Sequence, residues 1–114
     1  MAASGATLLV FWEAWCPHSK REIPKIEASY QKWGAKGLQV IGLTKQTRDT
    51  TDQQVRSLVE EKGLTFSVGK ENGTMSESFN VKGIPAAAVV KDGLVVWRGH
   101  PARLTDDMIR TWLN

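Results

Sequence analysis

Residues 15–19, "WCPHS", hold the only cysteine of the chain, and a thiolate is a nucleophile toward disulfide sulfur. Cys16 is followed by Pro17 and His18, and then by Ser19, where a dithiol redox site would carry its second sulfur. A buried apolar run precedes Cys16 and a helical pattern follows it, which makes the cysteine the N-cap of a helix. The first helical N–H groups there lack partners, and a thiolate can accept them. Pro17 suits the first helical position, because its missing donor is one of those orphans and its φ is already helical. The helix terminus and an imidazolium at His18 both favour charged sulfur. Comparable settings lower a cysteine pKa from roughly 8.5 to between about 3.5 and 7.5.

Free cysteines are most often small buried residues. A core cysteine needs no Pro at the first helical position, no adjacent His and no exposed helix mouth, so a reactive thiol is expected at Cys16. Lys20 and Arg21 strengthen the positive field, although cations in a first turn oppose the helix dipole. An anion is expected to offset them: the thiolate itself, Glu22, or an acidic substrate.

The elements that must position this site follow from periodicity. "TLLVFW", residues 7–12, reads as a strand buried on both faces. Ile23, Ile26, Tyr30 and Trp33 then recur at helical spacing, in a helix that closes near Gly34 and Gly37 and that Pro24 should kink. "GLQVIGLT", residues 37–44, is a second buried strand, and "KQTRDTT" is a polar loop leading to Thr51 as a helix cap. Val55, Leu58 and Val59 mark the helix, and Gly63 stops it. "LTFSVG" reads as a short strand, and Thr74 with Glu77 matches a capping box for a brief helix through Phe79. Residues 86–99 form a hairpin turning at Asp92-Gly93. Thr105 caps a last helix, with Asp106 and Asp107 in its first turn, Leu104 placed to staple onto Ile109, and Ile109, Trp112 and Leu113 facing the core.

The predicted order is β-α-β-α-β-α-β-β-α, an α/β fold with helices on both faces of a mixed sheet. The 114 residues, 41% of them hydrophobic and 24% charged, fit one domain spanning 1–114 with a sizeable core. A formal charge of +3 with interspersed signs leaves no nucleic-acid footprint. No apolar run is long enough to cross a bilayer, and the opening "MAASGATLLVFW" lacks the features of a secretion signal, though it suits a chain whose leader or tether was trimmed. One cysteine cannot make an internal bridge, so it says nothing of redox compartment. No metal or cofactor is expected.

Taken together, these residues resemble the thioredoxin superfamily over nearly the whole chain. "FWEAWCPHS" is similar to that family's strand-to-helix active site, with Trp15 before the nucleophile, and "GIPAAAVVKDGLVVWRG" to its second signature. The resemblance implies a thioredoxin-like fold and a cis bond before Pro85, with Pro85 facing the active cysteine and Ile84 and Pro85 presenting backbone to a bound peptide. A cis X-Pro bond costs only about 0.5–1 kcal/mol, which is why proline holds such a turn; a strand-entry proline with a trans bond is the alternative reading of the residues alone. The long segment between Thr44 and Val81 resembles the βα insert of the TlpA-like branch, extracytoplasmic thiol-disulfide proteins, and the Pro-His pair resembles the DsbA-type oxidants. The resemblance implies a periplasmic or otherwise extracytoplasmic setting, with a cytoplasmic one as the alternative.

Two departures stand out. Ser19 replaces the second cysteine, and Val10 stands where many thioredoxins carry a buried acid, leaving Glu13 as the nearby carboxylate. The expected activity is that of a thiol-disulfide oxidoreductase in which Cys16 attacks, His18 tunes it, Trp15, Pro17, Ile84 and Pro85 place the substrate, and Ser19 marks the resolving position. Its expected partners are protein disulfides or dithiols and a redox partner protein, with glutathione as a further candidate. Ser19 is either an engineered replacement in a Cys-Pro-His-Cys site or the mark of a natural monothiol protein, and in both cases the reaction starts at Cys16 and halts halfway. The alternative is a redox-inert binding module using Trp15, Ile84 and Pro85. A peroxidase is disfavoured, because no peroxide-binding Thr or Ser precedes the cysteine with an Arg in support.

Overall fold

A computed structural model describes residues 5–114. Its elements are β1 (Ala6–Trp12), α1 (Pro17–Trp33), β2 (Leu38–Thr44), α2 (Asp52–Lys62), β3 (Ser67–Lys70), α3 (Thr74–Ser78), β4 (Ala86–Lys91), β5 (Leu94–Gly99) and α4 (Asp106–Trp112). Short 3-10 turns follow α1 and precede α4. The five strands form one sheet in the order β3-β2-β1-β4-β5, so the strand that leads to Cys16 is central.

Every residue of β1 except Thr7 is buried, as a central strand covered on both faces requires. Leu8, Val10 and Trp12 join the main apolar cluster with Ile23, Ile26 and Trp33 of α1, Val55 and Leu58 of α2, and Ile109 of α4. Alternation sends Phe11 to the opposite face, where its ring meets Phe79 just beyond α3 at 5.8 Å between centroids. Helices therefore lie on both sides of a mixed sheet: β1 pairs parallel with β2, and antiparallel with β4. The segment between β2 and β4 supplies α2, β3 and α3, with β3 added parallel at the outer edge.

Local signals account for most boundaries. Thr51 forms a full capping box with Gln54, and Gly63 ends α2 with φ +63 while Leu64 N–H bonds back to the Val59 carbonyl. Asp92 and Gly93 both lie in the left-handed region, at φ +54 and +77, which gives the primed turn that matches strand twist. Thr105 accepts from the Met108 N–H at the start of α4.

Three expectations are corrected. Thr74 is not a cap: Gly73 holds that position at φ +103, and the Glu71 carboxylate accepts from Gly73 N–H and Ser76 Oγ while Asn72 accepts from Thr74 N–H. Side chains upstream thus do what the Thr74–Glu77 pair was expected to do, and Phe79 follows the helix as its C-cap. The third strand begins at Ser67, because Leu64 and Phe66 are drawn into the core as buried anchors instead. Apart from these, α1 is one element from Pro17 to Trp33 with Pro24 inside it, on its exposed side.

Candidate active site

Cys16 caps α1 from an extended backbone, φ −84 and ψ 118, with Pro17 at the first helical position as expected. Its carbonyl accepts the Lys20 N–H, which starts the helical ladder. Two details differ from expectation. The sulfur accepts no capping hydrogen bond, and Cys16 is only 4% exposed although Pro17 and His18 beside it are exposed.

Ser19, one turn on, is fully buried, and its Oγ accepts the Glu13 N–H at 3.3 Å. Pro17 and His18 are exposed, and the His18 imidazole enters none of the hydrogen bonds or ion pairs among the described residues. Glu22 was a candidate to offset Lys20 and Arg21. It is buried on the same helical face as Ser19 and pairs with Lys25 at 3.2 Å instead.

Glu13 is the carboxylate beside the cysteine, and sequence reasoning left it without a role. It is buried and accepts from Trp15 Nε1 at 2.9 Å, from Thr47 N–H at 3.0 Å and from Thr47 Oγ1. These bonds pin the indole that precedes Cys16 to the loop after β2. Arg48 of that loop lies over the Trp15 ring at 3.8 Å from its centroid. Thr47 and Arg48 are the site residues that sequence reasoning missed. The "KQTRDTT" loop reads only as polar, and nothing local says that it folds back onto Trp15.

The bond before Pro85 is cis, as the resemblance implies. The register pairs Phe11 with Ala86, so the end of β1 that leads to Cys16 and the start of β4 that follows Pro85 share one end of the sheet. Ile84 and Pro85 line a cleft of about 460 Å³ with Phe79, Arg98 and His100. Trp15 instead lines a separate cleft of about 390 Å³ with Lys20, Arg48 and α2, so the tryptophan and the proline border different depressions.

Among the described residues, no group of three or more His, Cys, Asp or Glu side chains is placed to hold a metal ion. None of their helices is long and apolar enough to cross a membrane.

Comparison with known proteins adds three findings. The sequence model of the AhpC/TSA family matches residues 2–98. The thiol-disulfide oxidoreductase ResA of Bacillus thuringiensis is 33% identical over 90 residues, 77% of this chain and 50% of that protein, so the chain spans about half the length of the curated relatives it matches. Two crystal structures share the fold. A thioredoxin-family thiol:disulfide interchange protein from Chlorobium tepidum has a TM-score of 0.82 at 21% identity, covering 98% of this chain and 82% of that one. StoA from Bacillus subtilis has a TM-score of 0.78 at 20% identity, covering 97% and 84%.

Proposed function

Because the chain belongs to the AhpC/TSA family, we propose that it is a thiol-disulfide oxidoreductase whose Cys16 attacks disulfides. The observation that carries this reading is the placement of Cys16 as the N-cap of α1, one short turn beyond the end of the central strand. In the reaction a Cys16 thiolate forms a bond to one sulfur of a disulfide, and the other sulfur leaves as thiolate. The Ser19 hydroxyl cannot displace sulfur in return, so the mixed disulfide persists until an external thiol attacks it. Trp15, Pro17, Ile84 and Pro85 would place the substrate, and His18 would act on Cys16 through its charge.

On this reading the substrates are protein disulfides or dithiols, glutathione is one source of the releasing thiol, and the setting is extracytoplasmic. The names of the ResA relatives support the activity class.

Incubation with a small aromatic disulfide near neutral pH tests the reading. One mixed disulfide per chain is expected, absent from Cys16→Ala, and a wild-type chain that stays unlabelled would sink it. Restoring the second sulfur with Ser19→Cys should confer insulin reduction that the present chain lacks. The low exposure of Cys16 favours a second reading, a redox-inert binding module. The same labelling separates the two, since only the module leaves the thiol unmodified.

A further inference from the structure

Trp15, Lys20 and Arg48 line the cleft of about 390 Å³ together with residues of α2. The α2 residues include Gln53, Gln54 and Glu61, so the lining is rich in neutral amides that can bond to a peptide-like ligand. Its charge is uneven, because Lys20 and Arg48 are its cations and Glu61 is its only carboxylate among the described residues. The ion pairs among those residues use Lys25, Lys32, Lys70 and Arg110, which leaves Lys20 and Arg48 unpaired.

Arg48 is also held there against the preference of its backbone. Arg48 and the next residue, Asp49, both take left-handed conformations, at φ +53 and +60, where side-chain-bearing residues are disfavoured. Such geometry persists where surroundings over-determine it, and it gathers at ligand clamps. The surroundings are on both sides of the pair. Thr47 is tied to the Glu13 carboxylate, and Thr50 donates its N–H and Oγ1 to the Thr47 carbonyl. An unpaired guanidinium is thereby fixed on the indole next to the reactive cysteine.

We infer that Arg48 and Lys20 form an anion subsite that selects disulfides and thiols carrying a carboxylate close to their sulfur. The inference rests on the thiol chemistry proposed above and names its substrate class. In the selected step the Cys16 thiolate bonds to one sulfur of R–S–S–R, the S–S bond breaks, and RS⁻ leaves and is protonated by water. Cys16 is oxidised as that half of the substrate is reduced. Release is the reverse exchange, in which an acidic thiol attacks the mixed disulfide and Cys16 departs as thiolate.

The test measures second-order rate constants of the reduced chain by intact mass, with oxidised glutathione, bis(2-hydroxyethyl) disulfide and cystamine as anionic, neutral and cationic probes. At low salt, oxidised glutathione should react about tenfold faster than the neutral probe, and cystamine more slowly than either. The anionic-to-neutral ratio should fall toward one in Arg48→Gln and in Lys20→Gln, fall in high salt, and recover in part in Arg48→Lys. Circular dichroism confirms that each variant is folded before its ratio is read, because an unfolded chain would expose Cys16 to every probe and bring the ratio toward one by itself. A peptide disulfide with Glu beside Cys and blocked termini serves as a fourth probe. An advantage shared by glutathione and peptide, or confined to one of them, supports the subsite and says which source it accepts. A wild-type ratio near one, or a ratio that survives in the Arg48→Gln/Lys20→Gln double variant, overturns it. Failure to react with any probe, the neutral one included, overturns the thiol chemistry itself.

Discussion

In the proposed reaction Ser19 stands where a resolving sulfur would act, yet its hydroxyl has a bond of its own. Fully buried, it accepts the Glu13 N–H and so fixes the turn between β1 and α1 that carries Trp15 and Cys16. An unpartnered buried N–H costs about 1–3 kcal/mol. Ser19→Ala should therefore lower unfolding stability by roughly that amount in urea titrations, while Cys16 remains available to an aromatic disulfide. Ser19→Cys should lose less, since sulfur is a weak acceptor of similar position. If Ser19→Ala were as stable as the parent chain, the hydroxyl would have no structural part in the site. At this scale the sequence exposes residue types and spacing but not partners. Cys16 and Pro17 take the N-cap and first helical positions that their order predicts. The anchoring of Trp15 by Glu13 and Thr47 joins residues 34 positions apart, beyond the reach of any local pattern.

Among the elements, legibility tracks how local the determinant is. The Thr51–Gln54 box and the Asp92-Gly93 turn are written within four residues, and both form where their residue types require. The start of α3 differs from the expected box because Asn72 takes the Thr74 N–H and the Gly73 carbonyl takes the Glu77 N–H, the two donors that box would use, while Glu71 holds the Gly73 N–H. The Arg48-Asp49 pair is illegible for a different reason, since Arg gives no signal for a left-handed backbone and Asp49 has no glycine beside it to mark the turn. The central strands add a steric requirement that periodicity does not express. A Cβ at Gly42 in β2 would stand 2.9 Å from Trp12 Nε1 and 3.0 Å from Phe66 Cε1. All three residues are buried, and real Cβ atoms do not approach so closely. Gly42→Ala should accordingly cost about 1–3 kcal/mol by overpacking, read as a lower denaturant midpoint at unchanged slope. Gly63→Ala is the contrast: its Cβ would meet nothing within 4 Å, and its penalty comes from φ +63 alone.

Over the whole molecule, carboxylates tie together segments that the sheet does not join. Glu27 of α1 reaches the turn before β3 and accepts from Thr65 N–H at 2.7 Å, from Thr65 Oγ1 at 2.6 Å and from Gln31 Nε2 at 2.6 Å. Burial alone would raise its carboxyl, but the bonds from Thr65 and Gln31 outweigh that and hold it below the usual carboxylate range. Glu71 is balanced in the same way, with burial opposed by Ser76 and the Gly73 N–H. A carboxyl lowered in the folded chain binds its proton more readily once unfolded, where the ordinary value is about 4.3. The stability each contributes is fully present above that value and is lost as pH falls through the lower folded value. Unfolding free energy should therefore be level, as far as these groups govern it, from neutral pH down to about 5 and fall steeply below about 4. Glu27→Gln should be less stable than the parent near neutral pH and should lose less on acidification, so the two curves converge toward acid. Urea titrations across this range would measure both. Parallel curves, with the same acid loss in Glu27→Gln, would show that the clasp between α1 and the β3 turn does not depend on the charge of Glu27.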